Sequence, residues 1–275
     1  MKEHGTTVIL LIVLIIGLSL LLYPSLSNWW NSMHQSRAVA SYVEQVANLD
    51  EDQYAHLWDE VWNYNRELTK RPNSYILNDQ QRERYDKLLD VGGTGIMGYV
   101  EIPSIGVTLP IYHGTDETVL QVAVGHLEWS SLPVGGKSSH CVVSGHRGLP
   151  SARLFTDLDE LVEGDVFMFR VLDEVLTYEV DQILIVEPDD TDALLIQEGK
   201  DLCTLITCTP YGVNSHRLLV RGHRIENLEV AQTVRVTADA MQIKPVIVAP
   251  IVAIPMLLIL LIILLIPKKK KRRLD

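Results

Sequence analysis

The chain has 275 residues, 47% of them hydrophobic, with three cysteines and a formal net charge of −11. The apolar residues crowd the two ends, and residues 24–245 between them hold 17 basic and 33 acidic side chains, a net of −16. That balance speaks against nucleic acid as a partner and for a soluble acidic domain, and an odd cysteine count leaves at least one thiol free.

In chain order, Thr6 to Tyr23 is a nearly pure run of Val, Ile and Leu, long enough to cross a membrane. Only Ser25-Leu26-Ser27 offers a small-x-small site after it, so the run reads as an uncleaved anchor. Tyr23, Trp29 and Trp30 follow at the level where bilayer meets water. Ser32 is a candidate cap for a helix with Val39, Tyr42, Val43 and Val46 on one face. A second helix starts near Asp50, with Tyr54, Leu57, Trp58, Val61, Trp62 and Leu68 as its buried stripe. Lys70 to Asp79, punctuated by Pro72 and Asn73, is a loop, and Asn78 caps a short helix through Tyr85, Leu88 and Leu89.

Beyond Gly92 and Gly93 the texture changes. Strand patterns recur over Ile96–His113, Cys141–Ser144, Val166–Val171, Leu176–Val186, Leu202–Cys208 and Leu218–Val220, with a helical piece expected at Ala152–Leu161. Short strands at this spacing predict a β-barrel or sandwich. The predicted organisation is a transmembrane helix at 6–23, a helical extension at 24–91, a β domain at 92–230 and a linker at 231–245. A second transmembrane helix at 246–266 and a basic tail at 267–275 complete it. Val246 to Ile266 holds 21 residues without a charge, and the Lys268–Arg273 block behind it belongs on the cytoplasmic side. Both termini are then inside and the domain between them outside.

The stretch that reads as chemistry is Thr204-Leu205-Ile206-Thr207-Cys208-Thr209-Pro210-Tyr211-Gly212, followed by Arg217. Cys208 stands where a strand gives way to a loop. Taken alone it reads more readily as a small buried hydrophobe. Cys203, five residues earlier, faces the other side of the strand, and Cys141 has either as a possible mate. A free cysteine is only a few per cent thiolate at neutral pH, so a nucleophile needs a base or acid beside it. Among nine histidines, His146 has the most loop-like setting, in Ser144-Gly145-His146-Arg147-Gly148, with His126 and His223 as competitors. Arg217, nine residues after Cys208, fits the adjacent strand of a hairpin, where a guanidinium can hold a carbonyl oxygen as it gains charge. Arg221 shares that face but lies about 13 Å further on. His140, Cys141 and His146 lack the spacing of a zinc site, and no metal or other cofactor is expected.

Thr204–Gly212 with Arg217 resembles the TLxTC...R motif of sortases, and Ser144-Gly145-His146-Arg147-Gly148-Leu149-Pro150 is similar to the histidine segment of the class C, pilus-assembling branch. Gly98-Tyr99-Val100-Glu101-Ile102-Pro103, Leu109–Thr115, Gly125-His126-Leu127-Glu128, Ser131-Leu132-Pro133-Val134-Gly135-Gly136 and Leu154-Phe155-Thr156-Asp157-Leu158 extend the likeness over residues 34–230. The resemblance implies a mainly β fold, a closed sortase-like barrel with short helices behind a helical extension. It implies Cys208 as nucleophile, His146 as general acid and Arg217 as stabiliser of the substrate carbonyl, with Leu205, Thr207 and Thr209 as substrate contacts. The implied reaction cleaves an LPxTG-like motif after threonine and passes the acyl group to a pilin lysine. Pilin subunits are then the partners, with a peptidoglycan precursor as the alternative amine and an inert membrane-tethered binding domain as the non-enzymatic reading. Class C sortases usually carry an Asp-Pro-aromatic lid; residues 70–79 lack that motif, leaving Pro72, Asn73 and Tyr75 as candidate lid residues.

Overall fold

The computed structural model describes residues 2–70 and 76–227. The expectations for Pro72, Asn73 and Tyr75, for the linker 231–245, for the span 246–266 and for the tail 267–275 lie outside the described residues. The rest divides into two units, the first ending at Trp29 and the second starting at Trp30.

Helix α1 (Lys2–Ala47) runs without a break through Pro24. A separate helix capped by Ser32 was the expectation; instead the Ser32 carbonyl accepts the Ser36 hydroxyl at 2.9 Å, a bond made one turn along a continuing helix. In the first unit Val8, Ile9, Leu10, Leu20 and Leu21 are each more than half exposed, the surface of a helix made for an apolar solvent. Among the described residues this is the one helix long and apolar enough to cross a membrane.

In the second unit, the later turns of α1 lead to α2 (Glu51–Leu68), started by a capping box in which Asp50 and Gln53 each satisfy the other's backbone N–H. Its buried face is Val61, Tyr64, Asn65 and Leu68. Of the expected stripe, Val61 and Leu68 are buried and Tyr54, Leu57 and Trp58 pack partly buried against the core, while Trp62 stays 39% exposed, stacked on Trp58. Asn65 takes both polar atoms of Leu132, donating to its carbonyl at 3.2 Å and accepting its N–H at 2.8 Å, which pins α2 to the barrel. Helix α3 (Asp79–Lys87) repeats the capping box with Asn78 and Gln81. Its Tyr85 is buried and bonds Nδ1 of His126 at 2.9 Å, while the Gly114 N–H donates to it at 3.0 Å.

The barrel follows: β1 (Ile96–Ile102), β2 (Val107–His113), a one-turn helix α4 (Glu117–Leu120), β3 (Val124–His126), β4 (Ser139–Ser144), β5 (Val166–Val171), β6 (Glu174–Val186), β7 (Asp201–Thr209) and β8 (His216–Arg224). The strands close in the order β1-β2-β3-β4-β7-β8-β6-β5, so no edge is left unpaired. Two neighbours are parallel, β2 with β3 and β4 with β7. Val100, Ile102, Val143, Phe167, Phe169, Leu205 and Val220 fill the interior with no exposed area. Tyr64 and Leu68 of α2, Tyr85 of α3 and Leu89 of the turn after it join the same core. The helix expected at Ala152–Leu161 is a run of turns ending in a single 3₁₀ turn, Leu158–Glu160; Leu154 sits at φ 40, outside the right-handed helical region.

Candidate active site

On β7, residues two apart share a face. Cys203, Leu205 and Thr207 turn inward and are buried, whereas Cys208 belongs to the outward set with Thr204 and Ile206 and is half-buried at the strand's end. Arg217 is the direct cross-strand partner of Cys208 in the β7–β8 ladder. Its Nη1 donates to the carbonyls of His216 at 3.1 Å and Asn214 at 3.3 Å. Among the described residues no carboxylate pairs with it. Arg221 stands opposite Thr204, further down β8, and is committed to Asp181 by two bonds of 2.9 and 3.1 Å.

The histidine arrives from the other side of β7. Parallel pairing of β4 with β7 ends at Ser144 and Ile206, so His146 and Cys208, each two residues on, leave the ends of adjacent strands at one end of the barrel. Three bonds hold that exit: Gly145 N–H to Ile206 O at 3.0 Å, Thr207 Oγ1 to Gly145 O at 2.8 Å, and Phe155 N–H to His146 O at 3.1 Å. Gly145 is required by space. A Cβ there would lie 2.8 Å from Phe155 Cδ2 and 2.9 Å from Val124 Cγ1. The imidazole is 29% exposed, with Nε2 3.8 Å from Oε2 of Glu117.

The competing histidines have other duties. His126 is fully buried between Tyr85 and the Ser131 carbonyl, and His223 lies beside Asp181 at 3.8 Å. Cys141 and Cys203 face each other across β4 and β7 as free, buried thiols, and burial pushes the Cys203 thiol well above its ordinary range. Among the described residues no group of His, Cys, Asp and Glu is arranged to hold a metal ion.

The three expected substrate contacts, Leu205, Thr207 and Thr209, share β7 with Cys208. Leu205 is wholly inside the core, the Thr207 hydroxyl is spent on the Gly145 carbonyl and Thr209 is buried. All three lie an odd number of residues from Cys208, Thr207 and Thr209 directly flanking it, and odd spacing puts a side chain on the opposite face. The residues that do share its face form a separate apolar pad: Val142, Leu194, Ile206 and Leu219, rimmed by partly buried Trp129 and Val186. Counting by two from Cys208 and Arg217 would have found Ile206 and Leu219. A second feature carried no sequence signal. The Arg147 guanidinium pairs with Asp159 and lies 5.8 Å from the Tyr211 ring centroid, so the segment after the histidine packs against the loop after the cysteine.

A family model described as Sortase domain matches residues 100–225. Sortase C1 of Streptococcus agalactiae is 50% identical, over 70% of this chain and all of that one, with a TM-score of 0.68. A sortase C of Streptococcus pneumoniae, described with respect to catalysis and pilin substrate specificity, is 46% identical over 70% of this chain and 97% of that one, with a TM-score of 0.64. Sortase D of Bacillus subtilis is 34% identical over 46% of this chain, which spans 63% of that relative's length.

Proposed function

The chain belongs to the sortase family, in its class C branch, and from that premise we propose that it is a membrane-anchored cysteine transpeptidase that joins pilin subunits. The observation that carries the reading is the convergence of Cys208, its cross-strand partner Arg217 and His146 at one end of the barrel.

In this reading the Cys208 sulfur attacks the threonyl carbonyl of an LPxTG-like motif, and Arg217 steadies the oxygen as it gains negative charge. His146, as the imidazolium, gives its proton to the departing glycine amine. The thioester is then resolved by a pilin lysine, leaving an isopeptide bond. The apolar pad around Ile206 and Leu219 offers the leucine and proline of such a motif a surface on the same face as the thiol. We place the domain outside the membrane on two spans with both termini inside; α1 supports the first, and the uncharged run 246–266 with its basic tail supports the second.

The test is incubation of the full chain, and of Cys208→Ala, with a pilin that carries an LPxTG-like motif. Detergent-resistant ladders from the wild type alone are the expected result. Ladders that persist in Cys208→Ala sink the mechanism, and a thioester released only by a peptidoglycan precursor amine, with no ladder, would reassign the enzyme to wall anchoring.

A further inference from the structure

The residue nearest to His146 in charge terms belongs to no part of the sequence motif. Helix α4 is one turn long, and it sets Glu117 and Gln121 one above the other, four residues apart. The Gln121 side-chain amide donates to Oε1 of Glu117. The second oxygen, Oε2, is thereby left facing Nε2 of His146 at 3.8 Å. The helix itself is fixed at both ends. Gln35 of α1 donates to the Val122 carbonyl at 2.7 Å just beyond it. On the far side Gly125 lets β3 approach so closely that a Cβ would lie 2.1 Å from the Gly114 carbonyl oxygen. Glu117 is therefore a carboxylate with a held side chain on a held turn, although it is 72% exposed.

We propose that Glu117, steadied by Gln121, is a positioning residue that orients the His146 ring and supports its positive charge for proton delivery to the leaving amine. This rests on the reading of His146 as general acid. In that step the C–S bond forms, the C–N bond to glycine breaks and the ring N–H proton moves to the amine nitrogen; Glu117 neither gains nor loses a proton. The other charged or titratable groups around the ring are Arg147, whose guanidinium is taken by Asp159, and Cys208 and Arg217 at the adjacent strand ends. Among the described residues Glu117 is the one carboxylate paired with this ring.

The experiment measures thioester formation and turnover by the full chain in detergent, on a quenched LPETG-containing peptide, for wild type, Glu117→Gln and Gln121→Met. Glu117→Gln keeps the shape and removes the charge. Its kcat falls about tenfold with KM within about twofold, the split expected of a group that acts on the transition state rather than on binding. Gln121→Met loses about threefold. Because the pair is exposed, the wild-type advantage shrinks at least twofold between about 0.1 M and about 1 M salt, as the screening length falls from about 10 Å to about 3 Å; a purely structural role would leave that ratio unmoved. An unchanged kcat, a loss confined to KM, or a salt-independent ratio overturns the proposal. If Glu117→Gln does not fold, Gln121→Met decides in the same way: a salt-sensitive loss supports the proposal and none overturns it. A wild type that forms no thioester would sink the transpeptidase reading itself, whereas an active wild type matched by Glu117→Gln sinks only the role of Glu117.

Discussion

Gly145 shows how much of the site depends on an atom that is missing. Adding one methyl there brings carbon to within 2.8 Å of Phe155 and 2.9 Å of Val124, both buried in the main core. Neither ring nor branched chain moves without disturbing its neighbours. Gly145→Ala is expected to lower stability by about 1–3 kcal/mol and to cut turnover at least about tenfold by shifting His146; denaturant unfolding and peptide turnover check both, and wild-type values for either break the account. At this scale the sequence was readable where a residue's type fixes its chemistry. A thiol at a strand end, a histidine between glycines and an arginine one hairpin away are visible as letters. That Leu205 and Thr207 face inward was not legible, because neighbouring strand residues look alike in composition while facing opposite ways. Arg147 and Tyr211 were invisible as a pair because their contact joins two loops far apart in sequence.

Among the elements, β4, β7 and the segment ending at Leu195 are tied by His140. Its Nδ1–H donates to the Leu195 carbonyl at 3.0 Å, and its Nε2 lies 2.8 Å from the Thr204 hydroxyl, a group that can give or take the second bond. Burial pushes its pKa down to about 4, partly offset by the bond to Leu195. The folded value lies below the unfolded one, so the neutral ring's contribution is complete above about pH 6.5 and drains away as pH falls toward about 4. Between pH 7 and pH 5 the wild type should lose about 2 kcal/mol more stability than His140→Gln. Urea unfolding at the two pH values measures this, and equal losses would refute it. Strand positions were legible as short β-branched and aromatic runs bounded by turn residues, as at Val166–Val171. The three-residue β3 was not, since it is too short to show a period. Ser32 suggested the start of a separate helix, but α1 continues through it and through Pro24 because Ser32 and Ser36 bond within the helix.

At the scale of the whole molecule, the boundary at Trp29 and Trp30 separates an apolar helical segment from a unit with its own core. The second unit closes its sheet and covers it with α2 and α3, which is what independent folding requires. A chain trimmed to residues 30–227 is expected to be soluble without detergent and to melt cooperatively within about 5 °C of the full chain. Aggregation, or a gradual melt by circular dichroism, would contradict it. The closed barrel was implied by family likeness rather than by pattern, because alternation alone does not tell a barrel from a sandwich.

The parallel pairing of β4 with β7 also sets a schedule. Thr207 and Gly145, which the barrel ties together, are 62 residues apart, and all of β5 and β6 is made between them. Bringing such distant segments together costs chain entropy that nearer contacts avoid. The hairpin of β7 and β8 joins Cys208 to Arg217 locally, but the histidine is delivered only when the barrel shuts. A thiol on β7 unpaired from β4 has no His146 beside it, so the pairing that completes the sheet is also the one that completes the site.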